Sequence, residues 1–526
     1  MAAKILVTES IADEGLDIMR SQGEVDVRKG LGAEELKAII GEYEGLVVRS
    51  ETKVTADVIE AGGKLQVIAR AGVGVDNIDV GAATNRGIVV VNAPTGNTLS
   101  AAEHTIALMM ALSRHIPQAD ALLKSGVWRR SDFTGVELRN KVLGILGLGN
   151  VGTAVASRAR GLEMRILAYD PFVSTDFAQN LGVQLVSVDE LISESDFITI
   201  HMPLTAETRG FIGDRELAMV KPSVRIINCA RGGLVDEEAL FKAIEEGRVA
   251  GAAVDVFTQE PTVDNILFRS SKVIVTPHLG ASTAEAQTSV AVDIAQQVNA
   301  VLQGQPARYA VNAPLIPPET LQVLRPFMEV SRVLGRLAVQ LVEGQVSTIQ
   351  VSYEGEISNF DTTILKASVL GGLLEMTIEE RVNLVNADML AKRRGLRIVE
   401  RKRAVCENYN SLITLEVDTS TGTTVVAGTV MREEPHIVRV NDYWMDMVPT
   451  GGYFLFADHR DRPGLVGQVG TITGSADINI HSMQVIRLKA RGQALMVLGL
   501  DEPLSDALRR KLLAIPDIDT ARAVTL

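Results

Sequence analysis

The sequence predicts a chain of the α/β class: two doubly wound units in series, then an α+β segment, then a small unit of order βαββαβ. Three observations predict it. Up to about residue 310, short β-rich runs alternate with helical stretches, the pattern of parallel strands joined by crossover helices. A strand, Val142–Leu146, runs straight into the glycine-rich turn Gly147-Leu148-Gly149-Asn150-Val151-Gly152. From Tyr453 onward the order is strand, helix, strand, strand, helix, strand.

In chain order, the first runs are Lys4–Val7, Gly45–Val48, Leu65–Ala69 and Ile88–Val91. Residues from about 99 to 125 read as one long apolar helix, interrupted by Pro117; its apolar face suits either a subunit contact or burial within one subunit. The second set of runs is Val142–Leu146, Met164–Tyr169, Phe197–Ile200, Val224–Ile227, Ala250–Val254 and Lys272–Val275. Two such units leave a cleft between them. Ala313-Pro314-Leu315-Ile316-Pro317-Pro318 cannot continue a helix and reads as a linker. Residues from about 319 to 450 mix two helical stretches with β-branched runs such as Thr423–Val430. The last unit has strands Tyr453–Ala457, Ile478–Leu488, Ala494–Leu500 and Asp519–Thr525 and helices Leu465–Gly474 and Ser505–Ala514, a ferredoxin-like order.

Composition sets limits. A chain of 526 residues is too long for one core. It has 65 Asp+Glu against 52 Lys+Arg, a formal charge of −13, which argues against general nucleic-acid binding. Two cysteines, Cys229 and Cys406, exclude a disulfide framework and point to a reducing cytoplasm. Neither a zinc-type Cys/His spacing nor a membrane-length apolar run occurs, so the expectation is no metal and no membrane.

The turn at 147–152 has the context that gives such a motif meaning. Gly147 permits the tight turn, Gly149 lets backbone approach a pyrophosphate, and Gly152 permits close helix–strand packing. The helix expected to leave the turn, Thr153–Arg160, offers N–H groups to phosphate at its N-terminus, with Asn150 and Val151 in the cofactor site. Asp170, at the end of the next strand, is placed for ribose hydroxyls and would repel a 2′-phosphate, which favours NAD over NADP.

Five motifs carry a resemblance: Arg70-Ala71-Gly72-Val73-Gly74-Val75-Asp76-Asn77, Gly147–Gly152, Asn228–Gly233 followed by Leu234-Val235-Asp236-Glu237, Asp255-Val256-Phe257, and Pro277-His278-Leu279-Gly280-Ala281-Ser282-Thr283. Through them the chain, to about residue 310, resembles the D-isomer-specific 2-hydroxyacid dehydrogenases. The resemblance implies a Rossmann-type NAD domain (99–280) inserted in a flavodoxin-like substrate domain (1–98 and 281–310). An intervening α+β domain (319–450) and an ACT domain (451–526) would follow.

Chemistry and resemblance agree residue by residue. His278 suits the base that takes a hydroxyl proton while hydride leaves, because imidazole titrates near neutrality. Glu260 can hold its other ring nitrogen. Arg231 can clamp a carboxylate and polarise the forming carbonyl. By resemblance Asp255 touches the nicotinamide, and Cys229 and Gly280 join the cofactor site. The Val73–Gly74 backbone would cradle the substrate carboxylate. Arg49 and Arg70 close two strands and, with Arg130, would face a phosphate, which arginine's planar fork suits.

His459-Arg460-Asp461-Arg462-Pro463-Gly464-Leu465 followed by Asn479-Ile480-His481 resembles an ACT domain, which implies L-serine as effector, held by Asp461 and Asn479 with His459 assisting. The expected reaction is NAD-dependent oxidation of 3-phospho-D-glycerate to 3-phosphohydroxypyruvate, the first committed step toward serine, in a homodimer or homotetramer. Two alternatives stay open: reduction of another 2-oxoacid (glyoxylate, hydroxypyruvate or 2-oxoglutarate), and a non-enzymatic NAD(H)-sensing corepressor.

Overall fold

A computed structural model describes residues 2–314, 317–378, 381–449 and 452–526. Leu315 and Ile316 of the expected linker, and the boundary expected between residues 450 and 451, lie outside the described residues.

Five parallel strands form the first sheet: β1 (Ala3–Val7), β2 (Gly23–Val27), β3 (Gly45–Val48), β4 (Val67–Arg70) and β5 (Val89–Val91). Their order is β2-β1-β3-β4-β5, the flavodoxin-like order. Sequence reading missed β2. It is an edge strand, alternating Val25 and Val27 with Glu24 and Asp26, and too short and polar to stand out. Helix Ala284–Leu302, far along the chain, packs back onto this sheet. Val290, Ile294 and Val298 join Ile5, Val7, Val67 and Ala69 in one core. Its approach to helix Asp13–Arg20 is close enough that a side chain on Gly15 would meet Ala291 O at 2.7 Å.

The second sheet has seven parallel strands: β6 (Val142–Leu146), β7 (Arg165–Tyr169), β8 (Gln184–Leu185), β9 (Phe197–Ile200), β10 (Arg225–Asn228), β11 (Gly251–Val254) and β12 (Val273–Val275). The order β12-β11-β10-β9-β6-β7-β8 reverses direction between β6 and β9, which opens a ligand crevice at the carboxyl ends of the strands. The expected single helix over 99–125 is two: Thr98–Arg114 and Ile116–Lys124. His115 between them is left-handed (φ 53°), and Pro117 sits in the first turn of the second helix, where its missing N–H costs nothing. Ala102, Met109 and Leu112 of the first helix pack into the core of this sheet.

The third sheet, β13 (Val346–Gly355), β14 (Arg397–Arg403), β15 (Ser411–Thr419), β16 (Gly422–Met431), β17 (Glu434–Val440) and β18 (Tyr443–Met447), has the order β14-β13-β15-β16-β17-β18. Only the β13–β14 pair is parallel. Three helices accompany it, Pro318–Leu341, Thr363–Leu374 and Ala387–Arg393, where two helical stretches were expected. The third is only 7 residues long and ends on Lys392 and Arg393. The fourth sheet, β19 (Tyr453–Arg460), β20 (Ile480–Arg487), β21 (Gln493–Leu500) and β22 (Arg522–Thr525), is antiparallel in the order β20-β21-β19-β22, with two helices. That is the ferredoxin-like arrangement. Among the described residues no helix is long and apolar enough to cross a membrane.

Candidate active site

The glycine-rich turn is shaped by what each glycine meets. Gly147 is left-handed (φ 93°), and a side chain there would meet His201 O at 2.6 Å. A side chain on Gly152 would overlap the Gly147 carbonyl. Gly149, by contrast, faces open space. Two glycines close the turn and the third leaves backbone exposed at the start of helix Asn150–Gly161, a cradle that fits the pyrophosphate of NAD. Asp170 accepts from the Leu148 N–H at 2.8 Å and the Phe172 N–H at 2.9 Å, which fixes its carboxylate beside the turn. Burial pushes the Cys229 thiol up to about 12, against a hydrogen bond with Thr105.

Toward the β12 edge of the same sheet, His278 Nδ1 lies 2.6 Å from Glu260 Oε2. A carboxylate can only accept here, so Nδ1 carries the hydrogen and Nε2 is left with its lone pair. Glu260 Oε1 accepts from the Phe257 N–H at 2.8 Å. Burial works to raise the Glu260 pKa, but the bonds from His278 and Phe257 outweigh it and hold the carboxyl below its ordinary range. His278 is left-handed (φ 56°), a strained conformation for a non-glycine residue.

That turn is held by Asp255. The Asp255 side chain is fully buried and accepts from the Thr276 hydroxyl at 2.5 Å, the Leu279 N–H at 2.7 Å and the Gly280 N–H at 2.9 Å. Its backbone carbonyl accepts from the His278 N–H at 2.9 Å. His104 Nε2, from helix Thr98–Arg114, reaches Asp255 Oδ1 at 3.3 Å and Thr276 Oγ1 at 3.2 Å. Burial raises the Asp255 pKa, but these bonds lower it further, so the group stays ionised. With these partners the enclosed Asp255 carboxylate organises the turn that presents His278.

Arg231 follows β10. Asn228 braces its loop, accepting from the Ala230 N–H at 3.1 Å and donating to the Arg231 carbonyl at 2.9 Å. The guanidinium crosses to the first sheet, where Nε lies 3.4 Å from Asp76 Oδ2, and a side chain on Gly74 would overlap Nη2. The Val73 carbonyl beside it accepts from Asn92 Nδ2 at 2.5 Å. Arg70 ends β4, and its buried Nε has no hydrogen-bond partner. Burial first, then the charges of Arg231 and Arg49, bring its pKa down to about 10. Arg49 Nη1 donates to Ser10 O at 3.2 Å, and Glu9 accepts from the Arg49 and Thr52 N–H groups at 2.8 and 3.0 Å. Three cations thus converge with few partners among the described residues.

Comparison with known proteins places this geometry. Residues 106–280 match the family described as D-isomer specific 2-hydroxyacid dehydrogenase, NAD binding domain, and residues 323–441 match the D-3-phosphoglycerate dehydrogenase intervening domain. The D-3-phosphoglycerate dehydrogenase of Synechocystis sp. is 46% identical over 526 residues, covering 100% of this chain and 95% of that protein. That of Archaeoglobus fulgidus is 44% identical, covering 99% of this chain and 100% of its own length. The chain belongs to the D-3-phosphoglycerate dehydrogenase family. Among solved structures, D-lactate dehydrogenase from Aquifex aeolicus, complexed with NAD and lactic acid, superposes with a TM-score of 0.54 at 26% identity. It covers 59% of this chain and 99% of that one.

Within this family member, two further groups of expected site residues have surroundings of their own. Arg130 opens an exposed turn, Arg130–Phe133, that folds back on the end of helix Thr98–Arg114: Phe133 meets His115, and the Val136 N–H bonds Ser113 O. The residues expected at the serine site have partners within the chain. His459 is only 1% exposed, with Nδ1 3.2 Å from Ala457 O. Asp461 pairs with Arg487 at 3.0 Å, and Asn479 donates to Asp501 at 2.6 Å. Each side chain is committed inside its own unit, and His459 is closed to solvent.

Sequence reading overlooked the residues that hold the site in shape: His104 and Thr276 behind Asp255, Asn228 under Arg231, Glu9 under Arg49, and Glu237, which accepts from Thr258 N–H at 2.7 Å beside the Glu260 loop. Asn228 and Glu237 lie in the motif around Arg231 and could have been found there. His104 sits in an apolar helix and gave no local signal.

Proposed function

We propose that this chain oxidises 3-phospho-D-glycerate to 3-phosphohydroxypyruvate with NAD, the first committed step toward serine. The observation that carries the reading is the His278–Glu260 pair at 2.6 Å, on the same sheet end as Arg231. His278 Nε2 takes the C2 hydroxyl proton, and Glu260 stabilises the imidazolium that forms. Bound NAD supplies the acceptor for the hydride that leaves C2. Arg231 clamps the carboxylate and polarises the oxygen as it becomes a carbonyl. The Val73–Gly74 backbone holds the other carboxylate oxygen. Arg70, with an unpartnered buried Nε, and Arg49 take the phosphate; their mutual repulsion favours a ligand of high negative charge.

The C-terminal unit is read as an ACT domain that binds L-serine between paired copies, in a homodimer or homotetramer. Asp461 and Asn479 would exchange their present partners for the ligand. Two cysteines and the absence of a disulfide fit a cytoplasmic enzyme. The test is NADH formation by purified protein from NAD and 3-phosphoglycerate, with D-lactate and D-glycerate as rivals and serine as inhibitor. Turnover confined to the unphosphorylated acids would overturn the substrate assignment.

A further inference from the structure

The guanidinium meant for the reactant already has a carboxylate beside it. Asp76 Oδ2 lies 3.4 Å from Arg231 Nε, and a side chain on Gly74 would come within 2.7 Å of that same oxygen while overlapping Arg231 Nη2. Asp76, the Gly74 backbone and Arg231 therefore bound one space of carboxylate size. The Asp76 charge also acts on Arg70, opposing the repulsion from Arg231 and Arg49. The pair is made to last only until something better arrives. It uses Nε, while Nη1 donates to Ala230 O at 2.6 Å, and the Asp76 side chain is 68% exposed. An exposed, single-point ion pair is weak, whereas a carboxylate engaging the guanidinium fork is strong.

We propose that Asp76 is a built-in competitor: its carboxylate stands in for the reactant's on Arg231 in the empty cleft and is displaced into water when the reactant binds. The residue sets substrate affinity and stops the arginine cluster from retaining stray anions. The inference rests on Arg231 as the carboxylate clamp. Competition of this kind weakens the ground state and the transition state alike, so its signature lies in KM rather than kcat.

The test is Asp76→Asn, isosteric and on an exposed side chain, with Asp76→Glu as the conservative variant. With NAD saturating, KM for 3-phosphoglycerate should fall threefold or more, with the change on KM rather than kcat, and Glu should restore the wild-type value. In parallel, the Kd of oxalate, an unreactive carboxylate, should fall by a similar factor by calorimetry. That gain should vanish in the Asp76→Asn, Arg231→Gln double variant. A rise in either constant would make Asp76 an aligning group for Arg231, and unchanged constants would make it a solvated charge; each overturns the proposal. Oxalate binding to neither protein would remove the clamp and the competitor together. The oxalate arm reads Asp76 even if 3-phosphoglycerate proves not to be the substrate.

Discussion

The cleft between the two parallel sheets and the loop end of the fourth sheet were both expected to hold small charged molecules, and both carry arginines and carboxylates. Their side chains are in different states. In the cleft, Arg70 has a buried donor without a partner, His278 Nε2 keeps its lone pair, and Arg231 has one loose ion pair. In the C-terminal unit Asp461 and Asn479 are already paired, and His459 is enclosed. Hydrogen-bonding capacity left open marks a site prepared for its ligand, because burying an unpaired polar group costs stability that only function explains. Capacity already closed marks a site that must rearrange, or one completed by a second copy of the chain.

Four substitutions sharpen or break that contrast. The largest effect is expected from His278→Ala, which removes the base: kcat should fall by about three orders of magnitude, read as NADH production. Undiminished turnover would remove the catalytic reading. Glu260→Gln should lower kcat by about a hundredfold, since the imidazolium loses its counter-charge. Arg70→Ala should cost kcat/KM for 3-phosphoglycerate by about tenfold to a hundredfold, the range of a charged hydrogen bond, and far less for D-lactate. Equal losses on both would mean that Arg70 does not read phosphate. The smallest effect belongs to Asp461→Ala, which should move turnover by less than twofold while abolishing the response to serine. A large drop in basal rate would show that the C-terminal unit is part of the cleft's machinery.

A pH experiment probes the wall of the cofactor site. His201, whose backbone lies against Gly147, is half-buried, and desolvation of its ring lowers its pKa from 6.5 to about 3. The unfolded chain therefore binds this proton first. Stability should be level above about pH 6.5 and decline as pH falls from there toward 3. Urea midpoints at pH 7 and pH 5 should lie closer together in His201→Gln than in wild type.

Much of this was legible in the chain. Strands of near-continuous Val, Ile and Leu between glycine-rich corners stand out wherever a sheet is covered on both faces, and β3, β6 and β9 fall at their expected bounds. The edge strands β2 and β8 were illegible because an edge needs little apolar content. At the catalytic end, the types and order of Arg231, Glu260 and His278 could be read, since the chemistry demands those groups. Their support could not. Asp255 was read by resemblance as a cofactor contact, and its bracing role, set by Thr276, Leu279, Gly280 and the distant His104, was not legible.

The sequence alone determined the class of fold, the dinucleotide turn, and the cation, carboxylate and imidazole available for chemistry, because local propensity and residue chemistry are written into adjacent positions. Only the tertiary structure decided which of those groups remain unpaired. Arg231 faces Asp76, 155 positions earlier by their numbers, and His104 reaches Asp255, 151 positions later. Contacts between such remote positions arise from how the sheets and helices pack, and no local pattern encodes them.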